Sequence, residues 1–298
     1  MKRLVPILCI VLALMLVLTA CGTLAELLHP EDMLPQEAEP GRGEGDPADA
    51  APEEEPEEEA PQEAPGQPAA PLQELSLTDD QRYELNIFLS NFSEQNFRTI
   101  VSWNNRTNTY DYMPDGFFDA RNADPMELIQ FTWTYGKINL NATENVTYEG
   151  LYYYGVDIST LNSLSMRFFN RSLSISDVKT GKWMENIGYS IVAVGDKVCT
   201  PAADGDTYSG LSIADHLYDL GDGTMQAEFT VYEATDYGSE GITSIGGINS
   251  KSIYNFTAEE AADHPDLERH LSGTAILRPY TMESGRETYQ LITYELHE

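Results

Sequence analysis

Positive charge is scarce in this chain. Seventeen Lys and Arg stand against 49 Asp and Glu over 298 residues, a formal net charge of −32. Past Lys2 and Arg3 nothing gathers basic residues into a run. A phosphate backbone is bound by a basic face, so nucleic acid is excluded as a partner. Cysteine is scarcer still. Cys9, Cys21 and Cys199 are the whole supply, too few for a disulfide framework. Local signatures of familiar chemistry are missing too. There is no G-x-S-x-G elbow, no H-E-x-x-H helix for zinc, no Walker loop and no G-x-G-x-x-G after a strand. A Ser/His/Asp site can assemble from residues far apart in sequence. These absences therefore weaken a hydrolase reading without closing it.

What is present begins at the N-terminus. Lys2 and Arg3 precede an apolar run over residues 4–18, the basic and apolar regions of a secretory signal. The run is short for a membrane span, which needs about 20 residues. It closes on Leu18-Thr19-Ala20-Cys21, which resembles the lipobox of bacterial lipoproteins. The resemblance covers the first 21 residues. It implies that the Cys21 thiol carries diacylglycerol and that residues 1–20 leave as a signal peptide. It also implies a lipid anchor on the extracytoplasmic face of a bacterial cell membrane, with the membrane as a partner through that anchor. Cys9 would leave with the signal. Cys199 would remain, read as a small buried hydrophobe.

Residues 21–71 form a linker. Ten of the sixteen prolines fall in 22–71, where 15 Asp and Glu face only Arg42. Large apolar residues are almost absent after Leu34, so the segment cannot offset its ordering entropy by burial and is expected to be disordered. Proline and self-repelling charge extend such a chain to at most roughly 150 Å over some 50 residues. The linker reads as a tether between membrane and body.

Residues 72–298 read as the body, one α+β domain or two packed lobes with a seam near 180. Thr78-Asp79-Asp80-Gln81 is a capping box, with Leu85, Phe88, Leu89 and Phe92 following at helical spacing. Asp124-Pro125-Met126-Glu127 opens a second helix, with Leu128, Phe131 and Tyr135 on one face. A third is predicted over 159–169, with Leu161, Leu164 and Phe168 inward. Residues 151–156 and 190–194 read as strands. From 224 to 235, Ala227, Phe229 and Val231 alternate with Gln226, Glu228 and Thr230, after a Gly221-Asp222-Gly223 turn. Residues 273–280 and 288–296 make a hairpin around Glu283-Ser284-Gly285-Arg286. Thr257-Ala258-Glu259-Glu260 caps a short helix. Helices followed by strands argue for α+β.

This element order is similar to the cone-shaped fold of the nuclear transport factor family, which implies N-terminal helices packed on a curved antiparallel sheet. The body also resembles ectodomains of lipoproteins from Gram-positive anaerobes. The stretches concerned are 167–174, 218–224 and 288–295. That resemblance implies no catalytic residues.

Tyr152-Tyr153-Tyr154, with Trp103, Trp133 and Trp183, offers rings for a stacking surface. In a strand Tyr152 and Tyr154 share one face while Tyr153 points away. Arg167 and Arg171 stand four apart on the predicted third helix and are expected on one face, ready for a carboxylate or phosphate or paired with the protein's own acids. Tyr152, Tyr154, Trp183, Arg167 and Arg171 are the candidate ligand surface. His264 and His270 are too far out of phase on a helix for a metal pair. Asp204-Gly205-Asp206 begins like a calcium loop, but Tyr208, Ser209 and Asp215 stand where an oxygen ligand, Gly and Glu are needed. Asp219, Asp222 and Thr224 read as a turn, so no metal and no cofactor is assigned.

These features predict a non-enzymatic, lipid-anchored surface domain that binds a protein or a small extracellular ligand in an apolar or aromatic pocket of the sheet. The alternatives are an accessory subunit of an envelope complex, which needs an exposed apolar patch, and an exported hydrolase, which needs a carboxylate or His pair in a cleft.

Overall fold

A computed structural model describes residues 72–184, 189–202, 210–234 and 253–298, without the side chains of 182–190 and 234. Cys21, the linker and Asp204-Gly205-Asp206 lie outside the described residues. No helix among those described is long and apolar enough to cross a membrane.

The helices begin where local chemistry starts them. Strand β1 (Gln73–Glu74) leads into α1 (Asp79–Ser93), where Thr78 Oγ1 accepts the Gln81 N–H and the Gln81 side chain accepts the Thr78 N–H. Helix α2 (Pro125–Leu140) is capped by Asp124, whose carboxylate accepts the Met126 N–H at 3.0 Å. Helix α3 (Ile158–Phe169) ends at Asn170 in the left-handed conformation. Arg171 is therefore off the helix, and the expected shared face with Arg167 is corrected. The short α4 (Ala258–Ala262) carries another capping box, between Thr257 and Glu260.

Between α1 and α2 lie three strands: β2 (Thr99–Asn104), β3 (Thr109–Pro114) and β4 (Phe117–Asp119). β5 (Glu144–Tyr148) and β6 (Leu151–Asp157) pair as a hairpin between α2 and α3, and β7 (Gly181–Met184), β8 (Tyr189–Val194) and β9 (Lys197–Pro201) follow α3. The long strands come last: β10 (Gly210–Asp219), β11 (Met225–Ala234), β12 (Leu267–Thr281) and β13 (Glu287–His297). They pair as a six-stranded antiparallel sheet in the order β1-β10-β11-β12-β13-β4, beside a five-stranded sheet β5-β6-β9-β8-β7 and the β2–β3 hairpin. The fold is α+β, with helices packed on antiparallel sheet as expected. Register shifts interrupt the large sheet at Ala214/His216, Val231/Tyr232 and Ile276/Leu277. Each bulge bends and twists its strand, which curves the sheet.

One hydrophobic core joins all these parts. Leu85, Phe92, Leu128, Leu161, Leu164 and Phe168 from the helices meet Phe229, Ala275, Leu277 and Tyr294 of the large sheet and Val156, Ile191 and Val198 of the smaller one. The core is continuous across position 180. Rings dominate it: Phe92 stacks on Phe131 at 4.7 Å and lies 5.5 Å from Tyr294, which in turn lies 5.4 Å from Phe229. A second cluster of Leu211, Ile213, Tyr232, Ile253 and Ala261 covers part of the other face. Strand β11 is thus covered on both sides near its end. Thr230, read from the sequence as outward, is buried and donates its hydroxyl to Asp215 Oδ2 at 2.9 Å.

Candidate functional site

Phenylalanine rings fill the middle of the helix-covered face of the sheet, and a cleft of about 550 Å³ opens at one end of it, between the start of α1 and Leu217, Met225, Tyr280 and Tyr289. A larger cleft of about 700 Å³ opens where the β2–β3 hairpin leans on the ends of β11 and β12. The hairpin turns at Asn104, whose side-chain oxygen accepts the N–H groups of Arg106 and Thr107, and at Asn108, which takes a positive φ of 59°. Asn tolerates that conformation better than most residues. Pairing Trp103 with Tyr110 and Val101 with Tyr112 sets these four side chains on one face. Trp103 and Tyr110 meet edge to face at 4.9 Å. They keep 46% and 45% of their surface exposed, whereas Trp133 is 5% exposed and donates its indole N–H to the Val198 carbonyl at 3.0 Å. Of these two tryptophans, Trp103 alone offers a ring to a ligand.

Tyr112 fastens the hairpin to the sheet. Its hydroxyl donates to Glu233 Oε2 at 3.0 Å, and its ring lies 4.2 Å from the His270 ring. His270 Nε2 also comes within 3.0 Å of Glu233 Oε2, although the approach is poorly aligned for a hydrogen bond. The bulge explains how His270 arrives there. Val231 pairs with Leu271 and Tyr232 with Arg269, which leaves His270 as the extra residue on β12. Bulges beside sites re-aim side chains in this way. Asp111, Met113, Glu268 and Arg269 complete much of the lining. Beneath it a cavity of about 20 Å³ shares Tyr112, Glu233 and His270 and reaches Tyr294. It has room for about one water.

The residues singled out from the sequence have other settings. Tyr152 projects from β6 with 75% of its surface exposed, and Tyr153, facing the other way, is buried. Tyr154 is half-buried, with Lys137 Nζ 5.6 Å from its ring. The Arg167 guanidinium lies over Tyr135 and Phe168, at 5.7 and 4.9 Å from the ring centres. Arg171 donates to the carbonyls of Ala120 and Arg121 and so ties the end of α3 to the segment after β4. Among the described residues Arg167 and Arg171 are thus held by rings and carbonyls and not by the protein's own acids. Trp183 falls in β7, and its side chain lies outside the described residues.

The histidines and the Gly-rich turn have local partners. His264 packs on Phe256 with ring centres 5.4 Å apart, and His216 Nδ1 lies 2.7 Å from Glu74 Oε1. Asp219 accepts the Gly221 N–H and Asp222 accepts the Thr224 N–H, the bonds of a plain turn. Among the described residues no three His, Cys, Asp or Glu converge as a metal site would need. Cys199 is fully buried, and burial pushes its thiol pKa up, which makes it inert.

Two titratable groups stand apart. Burial pushes the Glu94 carboxyl up to about 7, with Asn139 and the Tyr254 hydroxyl beside it. Glu94 lies at the C-terminal end of α1, its stem partly exposed and its Oε2 buried. Burial also raises Tyr254 strongly, so both groups are neutral in the fold at mildly acid pH. Neither lines the cleft.

Comparison of the chain with protein-family models, with curated proteins and with solved structures gives no match.

Proposed function

We propose that this is a lipid-anchored surface protein whose body binds an extracellular ligand in the cleft beneath Trp103 and Tyr110. The observation that carries the reading is the exposure of those two rings on the wall of an open cleft. Exposed aromatic rings cost solvation and are retained at recognition surfaces. The lipobox at Cys21 supports the anchor, and the acidic Pro-rich linker supports display away from the membrane.

Two measurements test the two halves. Cys21→Ala should abolish lipid attachment and release the protein from the membrane fraction of a bacterial host. A processed Cys21→Ala protein that still partitions with membranes sinks the anchor. For the cleft, Trp103→Ala should abolish the fluorescence response to any ligand that wild type binds. A ligand whose affinity ignores Trp103 and Tyr110 sinks the site.

The contact between His270 and Glu233 favours a second reading, an exported hydrolase. In this arrangement the two side chains touch each other and Tyr112 fills a further acceptor position on Glu233. A substrate would have to displace that contact. Turnover of wall fragments that His270→Ala abolishes would raise this reading above the first.

A further inference from the structure

The chemistry of the cleft also names a class of ligand. Glu233 on β11 and Glu268 on β12 are direct cross-strand partners. Such partners hold their Cβ atoms roughly 5 Å apart, where like charges repel. Both line the cleft, and Asp111 lies on its wall as well. Against three carboxylates the described lining carries Arg269, and His270, which with Tyr112 already touches Glu233. Among the described residues the cleft is therefore negative, within a body where residues 72–298 hold 34 Asp and Glu against 14 Lys and Arg. A concave surface lined by one sign of charge concentrates ions of the other sign.

The opposite wall is aromatic. Trp103 and Tyr110 present ring surface on the side from which Tyr112 reaches Glu233. A cation is attracted to a ring face within about 6 Å, and Trp is the strongest such partner. The Glu233–Glu268 carboxylates on one wall and the rings on the other suit a nitrogen cation with apolar substituents. The charge relieves the Glu233–Glu268 repulsion, and the carbon groups cover the rings. A bare metal ion would need a convergent oxygen or nitrogen set, and the described residues do not bring one together.

We infer that the cleft takes a small organic cation, an ammonium compound held between the Glu233–Glu268 pair and the Trp103–Tyr110 rings. This rests on the reading of the cleft as the binding site.

The test titrates the full chain with choline, with a neutral oligosaccharide and with inorganic phosphate, at low and at high salt. Tryptophan fluorescence and calorimetry provide the readout. Choline is expected to bind more weakly as salt rises, and neither other compound to bind. Trp103→Ala and Glu268→Gln should each weaken choline about tenfold, and Tyr152→Ala should leave it unchanged. Glu268 is exposed, so Glu268→Gln reports on binding even where Trp103→Ala disturbs the hairpin. Choline binding that ignores both variants is general attraction to an acidic protein and overturns the inference. An oligosaccharide that binds through Trp103 while choline does not overturns the cation and leaves the cleft standing. Failure of all three compounds to bind overturns the cation and counts equally against the cleft.

Discussion

The side-chain oxygen of Asn86 accepts the N–H of Ala214 at 2.9 Å, and this bond seats helix α1 on the open edge of strand β10. The same amide donates to the carbonyls of Tyr254 and Phe256 at 2.8 and 3.2 Å. One turn on, Ser90 Oγ accepts the Ser212 N–H at 2.9 Å and donates to the Ser212 carbonyl at 3.3 Å. β1 pairs with β10 at Asp219 and Tyr218, and the next residue, Leu75, donates its N–H to the Leu217 carbonyl at 2.8 Å. The rest of that edge would offer unpaired backbone to another chain, and polar side chains of a helix cover it.

Asn86→Leu should therefore be severe. It leaves the Ala214 N–H and two carbonyls without their partner in a fully buried place. Each such group costs roughly 1–3 kcal/mol, so a loss of about 3 kcal/mol or more is expected in urea unfolding. A loss below about 1 kcal/mol would show that the edge does not depend on this residue.

Gly273 and Phe229 are coupled across β11 and β12. They are register partners, and a Cβ at position 273 would lie 2.3 Å from Phe229 Cζ. The ring occupies the space that glycine leaves, inside a core with no slack. Gly273→Ala should cost about 2 kcal/mol or more through overpacking. Phe229→Leu should also destabilise the fold. In the double variant the two losses should fall short of their sum by about 1 kcal/mol. Strict additivity in thermal and urea unfolding would show that the ring moves aside freely.

Glu94 gives stability a pH dependence of definite sign. Burial raises its folded pKa from the ordinary carboxyl value of 4.5 to about 7. Between those values the folded state binds the proton and the unfolded state does not, so stability falls as pH rises through this window. Below about 4.5 the contribution is constant, and above about 7 it is fully lost. The swing is on the order of 3 kcal/mol at most. Glu94→Gln should flatten this part of the curve. An unchanged slope between pH 5 and 7 (roughly the window set by the shift) would remove Glu94 as its source.

How much of this was legible follows from the range of each interaction. Thr78 with Gln81, Asp124 with Met126, and Thr257 with Glu260 are bonds between near neighbours, and each helix start could be read directly. The inward faces of α1, α2 and α3 followed from spacing alone. The β2–β3 hairpin was not read, although Tyr110 and Tyr112 alternate after an Asn-rich turn. Its strands are short and largely exposed, so hydrophobic periodicity carried little signal. In the sequence Trp103 is one ring among several. Spacing places Arg167 and Arg171 together, and the left-handed turn at Asn170 separates them.

The sequence by itself determined the acidic charge, the Pro- and Glu-rich composition of residues 22–71, the helix starts and the alternation that makes an α+β body. These rest on composition and on contacts a few residues long. Only the tertiary structure decided which aromatic rings stay exposed, that His270 bulges toward Glu233, and that Glu233 faces Glu268. Those depend on register between strands distant in the chain. Register is set by what the two faces of the sheet bury, which no local stretch of residues records.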